Sequence, residues 1–217
     1  MEYFSNSFVD SILGPLQNDS ITTFYGSPGA GKSTLSFQYC CDVLKKGKKV
    51  IFIDTEGGFS SERILQIDPS SRLENILVMS PKSFENQHKI ISSLLEKVKS
   101  IKDIGLIIVD SLVMLYRLKL GDSPQKINKE LGEQLRLLNE ISRVFKIPIV
   151  VVNQMYIDFN TGYNKMVGGS VLEYWSKTIL ELDKVGPERF IKLTKHKFKQ
   201  ETKSIKYVIK NKGLEKI

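Results

Sequence analysis

The sequence has few of the residues that cross-link small proteins or ligate metals. Its 217 residues include two cysteines and two histidines, and the cysteines, Cys40 and Cys41, are adjacent. Neighbouring side chains on a helix point about 100° apart, so a disulfide between these two is not expected. With no spaced cysteine pairs, a structural zinc site also lacks ligands. We therefore expect both thiols to be buried as small apolar side chains.

Long apolar runs are absent as well. No stretch reaches the length of a membrane span, and the start, MEYFSNSFVD, lacks the basic and apolar segments of a signal peptide. Hydrophobic residues make up 41% of the chain, which is ordinary for a folded core. The sequence therefore predicts a single domain over residues 1–217, located in the cytoplasm and without a membrane partner.

The net charge of +8 is concentrated at one end of the chain. From Lys184 to Ile217 there are eleven Lys or Arg residues and three Asp or Glu residues, so the preceding part is balanced. A polyanionic partner would account for such an excess. A lysine-rich surface that keeps the protein in solution would account for it equally well. Charge alone leaves both explanations open.

Apolar strands alternate with helical segments along most of the chain. Strands are predicted at SITTFYG, KKVIFID, NILVMS, IGLIIVDS and IPIVVVNQ. VLEYWSKTILELDK is a helix or a strand, and the tail RFIKLTKHKFKQETKSIKYVIKNKG contains two runs that alternate like strands. This order predicts an α/β fold with a mostly parallel central sheet flanked by helices, and with a C-terminal antiparallel strand extension.

The segment GSPGAGKS matches the phosphate-binding pattern G-x-x-x-x-G-K-[ST] between a predicted strand and helix. Its glycines let backbone amides approach phosphate oxygens, and the helix N-terminus completes an anion nest. Lys32 can reach the β- and γ-phosphates, the Ser33 hydroxyl can ligate Mg²⁺, and Thr34 can contact the α-phosphate. ATP and Mg²⁺ are thus the predicted cofactors, and the predicted nucleotide-binding residues are Gly26, Ser27, Pro28, Gly29, Ala30, Gly31, Lys32, Ser33 and Thr34.

Carboxylates that follow two of the strands extend this site. Asp110 ends the strand LIIVD, where it can share Mg²⁺ with Ser33. The next residue is Ser111, so the acid that directly follows this aspartate in many helicases and transporters is missing. Glu56, in VIFIDTEGG, follows a buried strand and can act as the base that activates water. The alternative is that Glu56 caps a helix or lies in solvent.

An amide follows a third strand. Gln154 ends IPIVVVNQ and can sense the γ-phosphate, or it only forms a turn, with Asn153 as the structural partner. No arginine of the same chain is apparent for the transition state, so we expect full activity to need a neighbouring protomer.

The order of these motifs along the chain resembles that of the RecA-like recombinases, and the resemblance covers nearly the whole chain. FIDTEGGFSSERI, LIIVDSLVMLYR, KIPIVVVNQM and VGGSVLEYWSKTI are similar to the archaeal and eukaryotic branch of that family. The resemblance implies a P-loop NTPase with a single RecA-like ATPase domain. Small archaeal paralogues of the family lack a separate N-terminal DNA-binding helical domain, and we expect none within residues 1–217. KaiC-type ATPases share the same core.

The resemblance also implies roles for individual residues. Glu56, Lys32 and Gln154 would be catalytic, with Gln154 coupling the γ-phosphate to DNA loops, and Arg63 would lie against the adenine. Two loops would bind DNA, the first from after Asp110 to Asn128 and the second from about Ile157 to Ser170; their proposed contacts are Arg117, Lys119, Lys165, Gly168 and Gly169.

The stretch Lys195–Lys197 resembles a Lys-His-Arg motif that reaches the ATP of a neighbouring subunit. Lys195 and Lys197 are therefore predicted trans-subunit residues. Since lysine offers a point charge rather than a fork, bidentate contact of Lys197 with phosphate is in doubt.

The predicted function is that of a weakly hydrolysing ATPase that binds DNA and assists recombination and repair. Single-stranded DNA is favoured and base sequence is not read, because no major-groove helix is apparent. The need for a neighbouring protomer makes a homo-oligomer a further expectation, and the family resemblance, rather than any residue of the sequence, implies a junction-resolving partner protein. A KaiC-like signalling ATPase that does not bind DNA, or an ATP-switched adaptor without hydrolysis, remains the alternative.

Aromatic residues add a separate hint. Phe190, Phe198 and Tyr207 lie among the basic residues of the tail, where strand periodicity favours a core role for some. Tyr156, Phe159 and Tyr163 lie in the second loop and either stack on bases or pack beneath the loop.

Overall fold

The computed structural model describes residue 3 and residues 7–119, 121, 123–157 and 164–217. Within them, the helices are α1 (Ser7–Leu13), α2 (Lys32–Lys45), α3 (Ser61–Ile67), α4 (Phe84–Ser100), α5 (Met114–Lys119), α6 (Pro124–Phe145) and α7 (Gly169–Trp175). The strands are β1 (Ile21–Gly26), β2 (Lys49–Asp54), β3 (Ile76–Met79), β4 (Ile104–Asp110), β5 (Ile149–Ile157), β6 (Asn164–Met166), β7 (Ser176–Val185), β8 (Glu188–Lys195), β9 (Ile205–Lys210) and β10 (Gly213–Lys216).

One sheet organises these elements in the order β10-β9-β8-β7-β1-β5-β4-β2-β3. The six strands from β7 to β3 are parallel, whereas β8, β9 and β10 continue the sheet antiparallel beyond β7. Strand β6 pairs antiparallel with the end of β5. This is the α/β architecture that the sequence predicts, including its antiparallel C-terminal extension.

Helices cover both faces of the parallel strands. On one face, α1, α2 and α3 pack over a buried apolar cluster that extends to Tyr207 and Leu214 of the extension. On the other face, α4, α6 and α7 cover a second cluster. Strand β4 is buried from Gly105 to Asp110, as expected of a strand enclosed on both sides. Among the described residues, no helix has the length and apolar character needed to cross a membrane.

Local sequence explains where the covering helices begin. Ser60 and Ser83 precede α3 and α4, and each side chain accepts a hydrogen bond from a backbone N–H of the first turn, which is the usual N-cap. In α4, Phe84, Gln87, Ile91, Leu94 and Val98 are buried on one face. Cys40 and Cys41 are free, buried thiols in α2, as predicted.

Two segments differ from the sequence interpretation. The stretch after Asp110 was expected to be a loop as far as Asn128, but it contains α5, and α6 already begins at Pro124. VLEYWSKTILELDK is both helix and strand, because α7 ends at Trp175 and β7 begins with Ser176. Residues 158–163 of the predicted second DNA loop, which include Phe159 and Tyr163, lie outside the described residues.

Candidate nucleotide-binding site

Parallel strands end at one edge of the sheet, and this edge gathers the predicted site residues. Gly26 is paired with Gln154 across β1 and β5, and Asp54 with Asp110 across β2 and β4. Ligands of open α/β sheets bind at the carboxyl ends of such strands. The sheet therefore brings together motifs that lie far apart in the sequence.

The phosphate-binding loop follows β1 and leads directly into α2. Gly26 has φ 144°, and a Cβ atom there would stand 1.7 Å from the Leu182 carbonyl oxygen. Gly31 has φ 100°, and its Cβ would stand 2.7 Å from Ile209 Cδ1. A side chain at Gly26 would overlap the backbone of Leu182, and the φ angles of both positions are ones that side chains rarely adopt, so the loop requires glycine at each.

Lys32 is held inside the loop that it follows. Its Nζ donates to the carbonyl oxygens of Gly26 at 2.9 Å and Ser27 at 2.8 Å. Burial lowers the pKa of Lys32, and the nearby carboxylates of Asp110 and Glu56 act in the opposite direction. Such a desolvated cation is well placed to bind phosphate oxygens.

Asp110 lies beside Ser33 at the end of β4. The carboxylate is buried, with 7% of the residue exposed. Burial raises its pKa to about 6, against a hydrogen bond from Ser33 and the charge of Lys32. A buried carboxylate next to a hydroxyl fits Mg²⁺, which takes few protein ligands and completes its shell with phosphate oxygens and water. Ser33 and Asp110 are thus the residues that would hold the metal.

Glu56 is positioned by an aspartate that the sequence analysis did not single out. Both oxygens of the buried Asp54 carboxylate accept hydrogen bonds from the backbone, in total from Glu56, Gly57, Gly58 and Phe59. Four amides on one carboxylate fix the loop after β2. The role of Asp54 could have been predicted from its position, because an aspartate that directly precedes a short glycine-containing loop often accepts hydrogen bonds from the amides of that loop.

The carboxylate of Glu56 is held at one oxygen. Oε1 accepts from Ser111 Oγ at 2.6 Å and from Gln154 Nε2 at 2.7 Å, whereas Oε2 makes no hydrogen bond to another described residue. Ser111, which stands where many helicases have an acid, thus supports Glu56 instead. The free Oε2 is available to accept a proton from a bound water.

Gln154 and its neighbour Asn153 have separate tasks. Asn153 is buried, and its amide donates to the Val167 carbonyl at 2.7 Å, so it ties β5 to the segment after β6. The side chain of Gln154 faces the cavity, where its Oε1 accepts from Arg117 Nη1 at 2.6 Å. The structural role goes to Asn153, and Gln154 is joined to Glu56 and Arg117.

The position of Arg117 corrects one expectation. No motif of the sequence points to an arginine of the same chain for this site, yet Arg117 lines its cavity, because α5 turns its side chain back toward Gln154. Lys119 lies on the same helix but outside the cavity, where it pairs with Glu85 at 2.8 Å. Of these two predicted DNA contacts, Arg117 alone borders the nucleotide site.

A cavity of about 460 Å³ unites these groups. It is lined by Gly26, Pro28, Gly29, Gly31, Lys32, Ser33, Thr34, Glu56, Asp110, Arg117, Val152, Gln154, Met155 and Ile209. Its polar lining includes the cations of Lys32 and Arg117, which could bind phosphates. It also includes the Asp110 carboxylate with the Ser33 hydroxyl, which could bind a metal, and the Glu56 carboxylate, which could accept a proton from water.

Three predicted nucleotide contacts are not among the residues that line this cavity. Ala30 is buried behind the loop, with its carbonyl bonded to the Tyr207 hydroxyl, and Ser27 Oγ accepts from the Lys184 amide at 2.7 Å. The guanidinium of Arg63 donates to the carbonyl oxygens of residues 210 and 211. That Arg63 lies against the adenine stays a prediction.

The C-terminal strands support the phosphate loop, which the sequence analysis did not foresee. Tyr207 of β9 is buried against Ala30, and Arg189 of β8 donates to the Gly29 carbonyl at 3.1 Å. Gln38 of α2 exchanges hydrogen bonds with the turn and strand around Leu214. These contacts join residues that are 160 to 177 positions apart in the sequence, so no local pattern predicts them.

Several predicted DNA and trans-subunit residues meet at a second cavity. Lys165, Gly169 and Lys195 border this space of about 750 Å³, together with Tyr25 and Tyr156. Lys195 Nζ donates to the Glu173 carbonyl. The predicted DNA-binding and trans roles remain predictions, but these residues share one surface.

Gly168 and Lys197 lie elsewhere. Gly168 precedes α7 with φ 75°, and a Cβ there would stand 2.6 Å from Leu172 Cδ1, so it has a packing reason to be glycine. Lys197 pairs with Asp19 at 3.4 Å.

A phosphate-loop motif at the carboxyl edge of a parallel sheet, with the Asp110 carboxylate at the end of β4 beside Ser33, defines a P-loop NTPase of the RecA type. The chain belongs to the Rad51 family, whose sequence profile matches residues 4–217.

Similar proteins carry the name RadB. The DNA repair and recombination protein RadB of Methanosphaera stadtmanae is 40% identical over 218 residues, which cover 97% of this chain and 94% of that protein. The RadB protein of Methanobrevibacter smithii is 37% identical over 220 residues, with the same coverage. The crystal structure of the RadB recombinase superposes with a TM-score of 0.83 at 32% identity, covering 99% of each chain.

Proposed function

We propose that the protein binds ATP with Mg²⁺, hydrolyses it slowly, and binds DNA as an accessory factor in homologous recombination and repair. The observation that carries the ATPase assignment is the convergence of Lys32, Ser33, Asp110 and Glu56 on one cavity. The names of the similar proteins support the place in DNA repair and recombination. A cytoplasmic location, expected from the sequence, stays a prediction.

The chemistry follows from the contacts within the cavity. Lys32 binds the phosphate oxygens and stabilises charge that develops on them. Bound Mg²⁺, held through Ser33 and Asp110, would supply further neutralisation of the phosphates. Glu56 takes a proton from the attacking water at Oε2, while Ser111 and Gln154 keep Oε1 in place. Slow turnover is expected because the predicted trans groups, Lys195 and Lys197, are lysines, which cannot fork around a phosphate.

Single-stranded DNA is the proposed polymer partner. Lys165 and Lys195 border the second cavity, and the Tyr156 side chain beside them is 47% exposed. Lysines bind the backbone without reading its sequence, and an exposed ring can stack on any base. The basic excess of the tail adds a long-range attraction for the polymer. A protomer–protomer contact and a junction-resolving partner belong to the same proposal.

The test is binding of labelled single-stranded DNA across a salt series, with and without Mg²⁺-ATP. We expect affinity to fall linearly with salt on logarithmic axes, and to change when nucleotide is added. Fluorescence anisotropy gives the affinity, and phosphate release gives the turnover. Absence of DNA binding at low salt, together with normal ATP turnover, would favour the KaiC-like alternative. DNA binding without any turnover would favour the adaptor.

A further inference from the structure

A second surface carries aromatic and basic side chains outside both cavities described above. We name it the aromatic–basic surface, and it consists of Tyr174, Trp175, Phe198, Arg143, Lys146, Lys177 and Lys197. Trp175 lies at its centre, because it lines two neighbouring hollows of about 530 and 340 Å³. Neither hollow shares a lining residue with the nucleotide cavity.

The surface lies at the opposite edge of the sheet from the nucleotide site. Ser176 begins β7 and is paired with Ile21, the first residue of β1, and Ile21 is paired with Ile149, the first residue of β5. The nucleotide cavity gathers at the other ends of these parallel strands. A ligand on this surface therefore would not overlap a nucleotide bound in the cavity of the same chain.

Two of its three aromatic side chains are open to solvent. Tyr174 is 71% exposed and Phe198 is 73% exposed. Tyr174 stands edge-on to Trp175 with ring centroids 5.4 Å apart. A face that the core does not use is free to stack on a planar ligand.

Cations accompany these rings. Lys177 Nζ lies 5.9 Å from the centroid of the Tyr174 ring, and Lys197 Nζ lies 5.1 Å from that of Phe198. Lys197 is paired with Asp19, whereas Arg143, Lys146 and Lys177 form no ion pair with another described residue. Asp19 and Glu140 also line the hollows, but no ion pair among the described residues neutralises Arg143, Lys146 or Lys177.

We propose that the aromatic–basic surface binds single-stranded nucleic acid, at a site separate from the loops beside the nucleotide cavity. This inference rests on the proposed DNA binding and assigns it a further location. Rings beside cations match the alternation of bases and phosphates along a single strand, and such contacts are indifferent to base sequence. The unneutralised charge favours a polyanion over an apolar protein partner.

The chain provides its own probe, because Trp175 is its single tryptophan. Titration with an unlabelled single-stranded thymidine oligonucleotide at low salt should quench the fluorescence of Trp175, and added salt should restore it. Lys177→Glu and Arg143→Glu should each weaken the quenching titration by about tenfold or more, since a lost contact becomes a repulsion. Tyr174→Ala should weaken it by about tenfold through lost stacking.

Matched controls distinguish the loss of a specific contact from a change in total charge and from misfolding of the variant. Arg72→Glu makes the same charge reversal at an exposed position of another segment and should change the titration far less. Stabilisation of each variant by Mg²⁺-ATP, read as a thermal shift, reports that the fold and nucleotide site are intact. Anisotropy of a labelled oligomer measures total DNA binding independently.

The outcomes distinguish this inference from the proposed function. DNA binding by anisotropy, with unchanged Trp175 emission and no effect of Lys177→Glu or Tyr174→Ala, would overturn the inference and leave the function standing. No binding by anisotropy would overturn both. If polyglutamate quenches Trp175 equally well, the surface binds anions in general. If the emission changes with protein concentration alone, the surface binds a second copy of the chain. Either result contradicts the proposal.

Discussion

Arg117 donates a hydrogen bond from Nη1 to Gln154 Oε1 at 2.6 Å. The opposite end of the same amide donates to Glu56, so Arg117 fixes which way the amide faces. A flipped amide would place its nitrogen against the guanidinium and its oxygen against the carboxylate, and both contacts would be repulsive. Arg117 of α5 thereby orients the Gln154 amide so that its nitrogen donates to Glu56, the proposed base.

Replacing Arg117 by alanine should therefore slow ATP turnover more than it weakens ATP binding. We expect a fall in kcat of about 10- to 100-fold, as for loss of a positioning group, and it should be accompanied by a smaller change in KM. Steady-state phosphate release measures both constants. Lys119→Ala, on the same helix but outside the cavity, is the control. Equal losses in the two variants would show that α5, and not the contact to Gln154, is responsible.

Glu56→Gln should preserve nucleotide binding and remove hydrolysis. Glutamine keeps the size of the side chain but cannot take the proton of water, and such losses amount to about 10²–10⁴-fold. Turnover and the thermal shift with Mg²⁺-ATP should be measured on the same preparation. Glu74→Gln, at an exposed position away from the site, should behave as the unmodified protein. If the Glu56 variant hydrolyses ATP at the normal rate, another group is the base.

Asp110→Asn should separate stability from metal binding. Burial disfavours the ionised carboxylate and raises its pKa to about 6, so the neutral amide should stabilise the nucleotide-free fold by about 1–3 kcal/mol at neutral pH. The same change removes a proposed Mg²⁺ ligand, so the Mg²⁺-dependent part of the ATP-induced thermal shift should disappear. A lower melting temperature of the nucleotide-free variant would contradict the first expectation.

Contiguous motifs made most of the nucleotide site predictable. The phosphate loop is one short segment, and its glycines, lysine and serine have a chemical reason at each position. Asp110, Glu56 and Gln154 follow apolar strands, and parallel pairing alone brings strand ends to one edge. The alternation of strands and helices was sufficient for the fold class for the same reason: each element carries its own pattern.

Contacts between distant segments were the part that could not be read from the sequence. Arg117 enters the cavity only because α5 forms where a loop was expected. Asp54 resembles any acid at a strand end until its four amide donors are seen. Tyr207 lies in a strand whose alternation predicts burial for some residues, but not burial against Ala30. Tertiary packing decides each of these.

Tyr207→Phe should test whether the C-terminal extension supports the phosphate loop. Loss of the hydroxyl leaves the buried Ala30 carbonyl without this donor, at a cost of about 1–2 kcal/mol. We expect a lower melting temperature and weaker ATP binding together, because the same contact holds the loop. Tyr174→Phe, which removes an exposed hydroxyl, should leave both unchanged. Lost stability with unaltered ATP affinity would confine the role of Tyr207 to the core.

Dilution should reveal whether a neighbouring protomer completes the site. Arg117 already supplies one cation from the same chain, so an isolated protomer should retain slow turnover, and a trans cation should raise it when protomers associate. Specific activity measured over a range of protein concentrations should therefore increase and then level off. Lys195→Ala should flatten that rise without changing the rate in dilute solution, whereas Lys203→Ala, at an exposed position of the same tail, should not. A rate that is high and independent of dilution in the unmodified protein would show that the site is complete within one chain, and the trans role of Lys195 would then be wrong.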